Sequence, residues 1–214
     1  YPLPLFRLIF ITSMLNQRTK PYRFILASAS PRRQQFFKDI QLDVHIELKP
    51  VDEIFPDHLQ FTAITDYLAE LKSKPFISTL QAFDVIITSD TLVWHRGKAI
   101  GKPNSYAEAF DMLQSLANAT HEVITSVTFT TVAGHTTIND VSKVTFGPLT
   151  ADEITYYLEQ HQPYDKAGSY GIQDWIGFVG VQRIEGSYPN VMGLPIEKVY
   201  RYIVEHFSTP THEH

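Results

Sequence analysis

The 214-residue chain contains no cysteine. That excludes disulfides, thiolate metal sites and cysteine nucleophiles, and leaves the redox compartment open. It also lacks an excess of positive charge: 18 Lys and Arg stand against 23 Asp and Glu, for a net charge of −5. A field of that sign does not recruit nucleic acid or an acidic membrane, so any anion site must be a local basic pocket in an acidic surface. None of the nine histidines forms a His-x-x-x-His pair of the zincin type. The apolar stretch at 1–11 is too short to span a bilayer and is broken by Pro2, Pro4 and Arg7. It lacks the basic start and small-residue cleavage site of a secretory signal, so the expected location is the cytoplasm. There is no internal repeat and no low-complexity segment.

What is present is the composition of a globular protein, 43% apolar and 19% charged. It is enough for one sizeable core and one domain, of one or two lobes. Met14 precedes a polar segment, 16–20. The fold is therefore expected to occupy residues 21–207. Residues 1–20 read as an N-terminal extension outside it, with those before Met14 dispensable, and residues 208–214 as a disordered tail.

The stretch Phe24-Ile-Leu-Ala-Ser-Ala-Ser-Pro-Arg-Arg33 reads as a short buried strand, 24–26, running through small residues into a helix. Ser30 stands at the N-cap position, and Pro31 at the first helical position, where its missing N–H costs nothing. Arg32 and Arg33 follow, against the preference for acidic residues in a first turn. Two cations beside the positive end of a helix dipole are mutually unfavourable unless an anion joins them. Backbone N–H groups, the hydroxyls of Ser28 and Ser30 and two guanidinium groups together can make a phosphate cradle. A capped surface helix with two solvated arginines fits the same spacing equally well.

Beyond this stretch, helices are expected at 32–40, at 62–74 with Pro75 stopping it, at 105–117 and 150–160 behind the boxes Ser105-Tyr-Ala-Glu108 and Thr150-Ala-Asp-Glu153, and at 196–207. Strands are expected at 44–48, at 84–90 continuing to 95, and at 122–132 and 136–146 as a hairpin. Residues 96–98 form a hairpin turn, 49–56 a loop broken by prolines, and 167–184 loop plus strands. Residues 186–195 are too rich in glycine and proline for regular core. Strands and helices alternate around one antiparallel hairpin, which makes the class α/β with a mixed sheet.

Candidate chemistry sits at the ends of these elements. Asp90 ends an apolar strand, as a carboxylate for metal binding or water activation would, or as the cap of a turn would. Lys102, between Gly101 and Pro103, and Lys72, on the 62–74 helix, can meet a phosphate as point charges or be solvated. Asp52 and Glu53 can hold a hard divalent cation through oxygen, or be solvated loop acids. In Asp165-Lys-Ala-Gly-Ser-Tyr-Gly-Ile-Gln173 the glycines at 168 and 171 permit close backbone approach or positive φ. Gln173 carries both a donor and an acceptor with which to read a base edge. Together these groups supply what a metal-assisted phosphoryl-transfer site requires.

Ser28-Ala-Ser-Pro-Arg-Arg33, Ser89-Asp-Thr91, Gly101-Lys-Pro103, His121-Glu-Val123, the 165–173 segment, Gly186-Ser-Tyr188 and Val191-Met-Gly-Leu-Pro195 occur in the order found in the Maf nucleotide pyrophosphatases. The chain resembles that family over about residues 22–205. The resemblance implies an α/β fold related to the inosine triphosphate pyrophosphatases, with an elongated mixed sheet flanked by helices and a cleft between two lobes. It also implies a homodimer. The activity implied is hydrolysis of a nucleoside triphosphate to monophosphate and pyrophosphate with a divalent cation, Mg or Mn. By the same resemblance Asp90 is the catalytic carboxylate. Ser28, Ser30, Arg32, Arg33, Lys72 and Lys102 bind phosphate, and Glu53 and Asp90 hold metal. Arg32, Thr91 and Gln173 mark a preference for dTTP and UTP and their modified relatives. The chain departs from the family at Thr88-Ser89, where Gly-Ala is common, at Gly101, where Glu is usual, and at Lys72-Ser-Lys74, where two lysines compete for one role. A second reading keeps the pocket without the catalysis, as a nucleotide-binding regulator of septum formation or cell division.

Overall fold

The structure is a computed structural model that describes residues 14–208. Its centre is a seven-stranded mixed sheet of order β2-β1-β3-β5-β6-β7, with β4 paired to β3. The strands are β1 (Arg23–Leu26), β2 (Val44–Ile46), β3 (Asp84–His95), β4 (Lys98–Ile100), β5 (Thr120–Thr131), β6 (Gly134–Phe146) and β7 (Val181–Glu185). β1 runs parallel to both β2 and β3, and every other pairing is antiparallel. The expected mixed α/β class is the observed one.

Strand β3 positions the site, because one of its edges is shared. β5 accompanies β3 from Ile86 to Trp94. The opposite edge is taken by β1 at 84–87 and by β4 at 93–95. Between them, at 88–92, that edge has no strand beside it among the described residues, and Ser89, Asp90 and Thr91 stand in the gap. The β3–β4 turn is tight because Arg96 and Gly97 both take positive φ, 51° and 76°, as a two-residue hairpin with right-handed strand twist requires.

Alternation along β3 sorts its side chains onto two faces. Val85, Ile87 and Val93 point one way, and Ile86, Thr88, Asp90 and Leu92 the other. The first face carries two cores. One joins Val85 and Ile87 to Phe24, Leu26, Phe37, Val127, Phe129, Val199 and Ile203, and the other joins Val93 to Leu113, Val123, Phe146, Tyr157 and Ile176. These are the two lobes, and Thr91 lies at the waist between them. Helices α2 (Pro31–Asp39) and α8 (Ile196–Phe207) close the first lobe, and α4 (Tyr106–Leu116) and α5 (Ala151–His161) the second. The second face is covered by α3 (Thr62–Ser73), whose Ile64 and Leu68 pack on Leu92 and Ile124. Complete burial of side chains such as Phe37 or Leu113 stabilises by about 1.5–3 kcal/mol each.

Several expectations need correcting. A short helix, α1 (Met14–Arg18), precedes β1, and its Leu15 is buried in the first core. The packed chain therefore begins ahead of the boundary set at Pro21, because one apolar residue among polar neighbours is enough to seat a turn of helix. Residues 1–13 and 209–214, on which the dispensable segment and the rest of the tail fall, lie outside the described residues. Pro75 does not stop the chain's helical course. It takes an early position in a 3₁₀ helix, Lys74–Thr79, that continues from α3, where a missing N–H is tolerated. Residues 167–184 contain a 3₁₀ turn (Ala167–Ser169) and α6 (Trp175–Gly180) before β7. The 186–195 stretch forms α7 (Tyr188–Val191) and buries Asn190 and Leu194 completely. Strand β2 ends at Ile46, two residues short of the expected end.

Candidate active site

All the candidate residues except Asp52 line one cleft of about 570 Å³ that opens at the bare stretch of β3. Ser28, Ser30, Arg32 and Arg33 come from the β1–α2 turn, and Glu53 from the proline loop. Lys72 comes from the end of α3, Asp90 and Thr91 from β3, Lys102 from the segment after β4, and Gln173 from the turn before α6. The rigid part of this set is on the sheet, and the charged loops close over it.

On the α3 side, Lys72 bridges two acids. Its Nζ lies 2.6 Å from Asp90 Oδ1 and 3.1 Å from Glu53 Oε2. The Lys72 and Asp90 side chains are only 16% and 9% exposed, so this pair interacts in a medium far less screening than water. Lys74, the competitor in sequence, lies outside the cleft lining, with its ammonium 5.9 Å from the Tyr67 ring. The loop carrying Glu53 is tied down by Lys49. That ammonium donates to Pro75 O at 3.3 Å and Thr79 Oγ1 at 3.1 Å and sits 4.5 Å over the Phe76 ring. The 3₁₀ helix Lys74–Thr79 supplies all three contacts.

On the opposite side of β3, the β1–α2 turn is built largely as the sequence implies. The Ser30 side chain accepts from Arg33 N at 3.4 Å, and Ser28 Oγ accepts from Ser30 N at 3.3 Å. Arg33, expected on phosphate, lines the cleft and makes three hydrogen bonds within the protein. Its Nε donates to Gly193 O at 2.8 Å, Nη1 to Ser89 O at 3.2 Å and Nη2 to Thr91 Oγ1 at 2.9 Å. One of these acceptors, Ser89 O, belongs to the strandless stretch of β3. Three of the five guanidinium donors are thereby used to clasp α2, β3 and the 191–193 turn together. Burial lowers the pKa of Arg33 from its ordinary value, and the nearby Asp90 charge opposes that shift. Thr91 is held in the same web, sharing a hydrogen bond of 2.9 Å with Thr125. Its hydroxyl, expected to discriminate substrates, is bonded to Arg33 and Thr125. Arg32 points to the cleft mouth, where Nη1 lies 3.6 Å from Asp165 Oδ2.

The segment bearing Gln173 is fixed from two elements. Tyr157 of α5 donates to Asp174 Oδ2 at 2.8 Å and accepts from Gly171 N at 3.1 Å. His121 of β5 meets Tyr170 through Nε2 at 2.7 Å. Burial, with a smaller contribution from His95, pushes the His121 pKa down to about 3. The ring is therefore neutral at pH 7 and shares this hydrogen bond with the Tyr170 hydroxyl, whose own pKa burial raises. Gly168 must be glycine: φ is +70° and a Cβ would come within 2.9 Å of Val93. Lys166 also lines this wall, 2.7 Å from Asp165 and 3.9 Å from Asp174. Sequence reasoning passed over Lys166 and Lys49 because each reads as a surface cation. The only signal is their position, beside the 165–173 glycines in one case and the proline loop in the other.

The family model described as Maf-like protein matches residues 23–206. The chain belongs to the Maf family. A protein of Flavobacterium johnsoniae is 55% identical over 190 residues, covering 89% of this chain and 98% of its own. Proteins of Flavobacterium psychrophilum, 54% identical over 90% of this chain and 99% of theirs, and Christiangramia forsetii, 48% identical over 90% and 98%, are as fully covered. All three are named dTTP/UTP pyrophosphatase. The Staphylococcus aureus Ham1 protein structure overlaps 58% of this chain and 71% of that one at TM-score 0.39 and 17% identity, too loosely to bear on fold or function. The Maf match begins and ends on the packed elements, from β1 to α8.

Proposed function

We propose that the protein is a nucleoside triphosphate pyrophosphatase acting on dTTP and UTP, and on modified relatives of these, in the cytoplasm and as a homodimer. The observation that carries the reading is the pair of carboxylates, Glu53 and Asp90, gathered around Lys72 at the strandless stretch of β3. It is supported by the names of relatives that match this chain over nearly their whole length. Two carboxylates within hydrogen-bonding reach of one ammonium are a donor set that fits a hard divalent cation, Mg or Mn. Such a cation, held by Glu53 and Asp90, would neutralise phosphate charge and polarise the phosphorus.

The chain's own groups account for the rest. Lys72 and Lys102 offer point charges to the triphosphate, and the hydroxyls of Ser28 and Ser30 offer hydrogen bonds. Asp90, fixed on β3, orients a water toward the α-phosphorus. The water oxygen bonds to that phosphorus, the bond to the bridging oxygen breaks, pyrophosphate leaves, and the water's proton passes to Asp90 and then to solvent. Arg32 and Gln173 face the nucleoside and read its base. Arg33 and Thr91 hold the walls in register.

A screen of pyrophosphate release across ordinary and modified nucleotides, with and without metal, tests the reading. Metal-dependent release led by dTTP and UTP is expected. Binding of these nucleotides without release would favour the regulatory alternative. Light scattering that shows a monomer at assay concentrations would remove the dimer.

A further inference from the structure

Lys72 lies between Glu53 and Asp90, the two carboxylates that would hold a divalent cation. Its ammonium has two short acidic contacts, 2.6 and 3.1 Å, and the pair with Asp90 is nearly closed to solvent. No group of three or more His, Cys, Asp or Glu able to hold a metal ion occurs among the described residues. Two carboxylates leave most of a six-oxygen shell to water and to ligand oxygens. A divalent cation arriving alone therefore meets a positive charge already in its seat, and displacing that charge strands the ammonium in a poorly solvated place. A triphosphate changes both sides of the balance. Its oxygens complete the cation's shell, and its negative charge gives Lys72 a new partner.

We propose that Lys72 is the resident cation of the apo site, and that it makes divalent-metal uptake conditional on the nucleoside triphosphate. Lys72 moves from the carboxylates to the phosphates as the metal and the nucleotide enter together. Lys72 thus couples the two ligands. By linkage, each ligand raises the affinity for the other by the same factor. The inference rests on the pyrophosphatase reading for the identity of the nucleotide, but not for the competition between ammonium and metal.

Mn²⁺ is the probe, followed by water-proton relaxation enhancement on the full chain. Wild type should show little enhancement with Mn²⁺ alone, and a strong rise when α,β-methylene-dTTP is added, beyond that of the Mn²⁺–nucleotide complex. Lys72→Met should bind Mn²⁺ alone at least tenfold more tightly than wild type, and the gain should vanish in Lys72→Met/Glu53→Gln. Lys72→Gln, with thermal melts of each variant, guards against a folding defect. Equal Mn²⁺ affinity of wild type and both Lys72 variants overturns the proposal, as does a gain that survives Glu53→Gln. Tighter Mn²⁺ binding in the Lys72 variants, in a wild type that releases no pyrophosphate, upholds the metal seat while refuting the pyrophosphatase reading.

Discussion

Asp90 and Thr91 are neighbours on one strand, yet they serve opposite sides of the sheet. On the α3 side, Asp90 belongs to a cluster with Lys72 and Glu53 joined by ion pairs. On the other side, Thr91 belongs to a web of neutral acceptors closed by the Arg33 guanidinium. The first arrangement can reorganise when a ligand arrives. The second has short directed bonds to backbone carbonyls and little reason to move. A strand with one edge flanked only near its two ends can thus carry charged groups on one face while bonds on the other face supply the stiffness that a neighbouring strand would have given.

The sharpest way to break this comparison is Asp90→Asn. The side chain keeps its shape and loses its charge, so turnover of dTTP should fall by about 10³-fold or more, with the circular dichroism spectrum unchanged. Next is Arg33→Lys, which keeps the charge but cannot make three directed bonds. A clasp predicts that kcat falls by roughly 10–100-fold and that the nucleotide-free melting temperature drops by several degrees. A phosphate ligand predicts instead a raised KM with unchanged melting.

His121 tests the walls rather than the centre. Its folded pKa of about 3 lies below the unfolded value near 6.5, so between those pH values the unfolded chain binds more protons. Stability is complete above about pH 6.5 and is lost as pH falls through this window, with a slope approaching about 1.4 kcal/mol per pH unit. His121→Gln should flatten that slope in urea titrations between pH 6.5 and 4, and an unchanged slope would show that the imidazole does not carry it. The smallest effect is expected at Gln173. Gln173→Ala should change the ratio of turnover between dTTP and other nucleotides by about tenfold without altering the metal dependence. An unchanged nucleotide ranking would remove Gln173 from base reading.

These two sides were not equally legible in the sequence. The mixed α/β class, the long strands and the capped helices follow from alternation and capping residues, and the structure has each of them. The groups expected at the site do converge on one cleft, because each stands at the end of an element in a separate motif. What the sequence could not show was the direction of each guanidinium or ammonium. Arg32 and Arg33 are adjacent and look equivalent, but the helix turns one toward the cleft mouth and the other into the carbonyls of Ser89 and Gly193. Lys72 and Lys74 stand two residues apart at the junction of α3 with its 3₁₀ extension, and helical geometry turns them to different faces. Residues 175–180 escaped as a helix because Trp175-Ile-Gly-Phe-Val-Gly180 has no polar residue to mark a helical period and two helix-weakening glycines. Lys49 became meaningful only once Pro75 had brought its partners alongside.

The most direct test of the central claim is the stoichiometry of products from dTTP with Mg²⁺ in wild type and in Asp90→Asn. The arrangement around β3 predicts dTMP and pyrophosphate in equal amounts from wild type and almost none from the variant. Release of orthophosphate with dTDP, or turnover retained by Asp90→Asn, would contradict it.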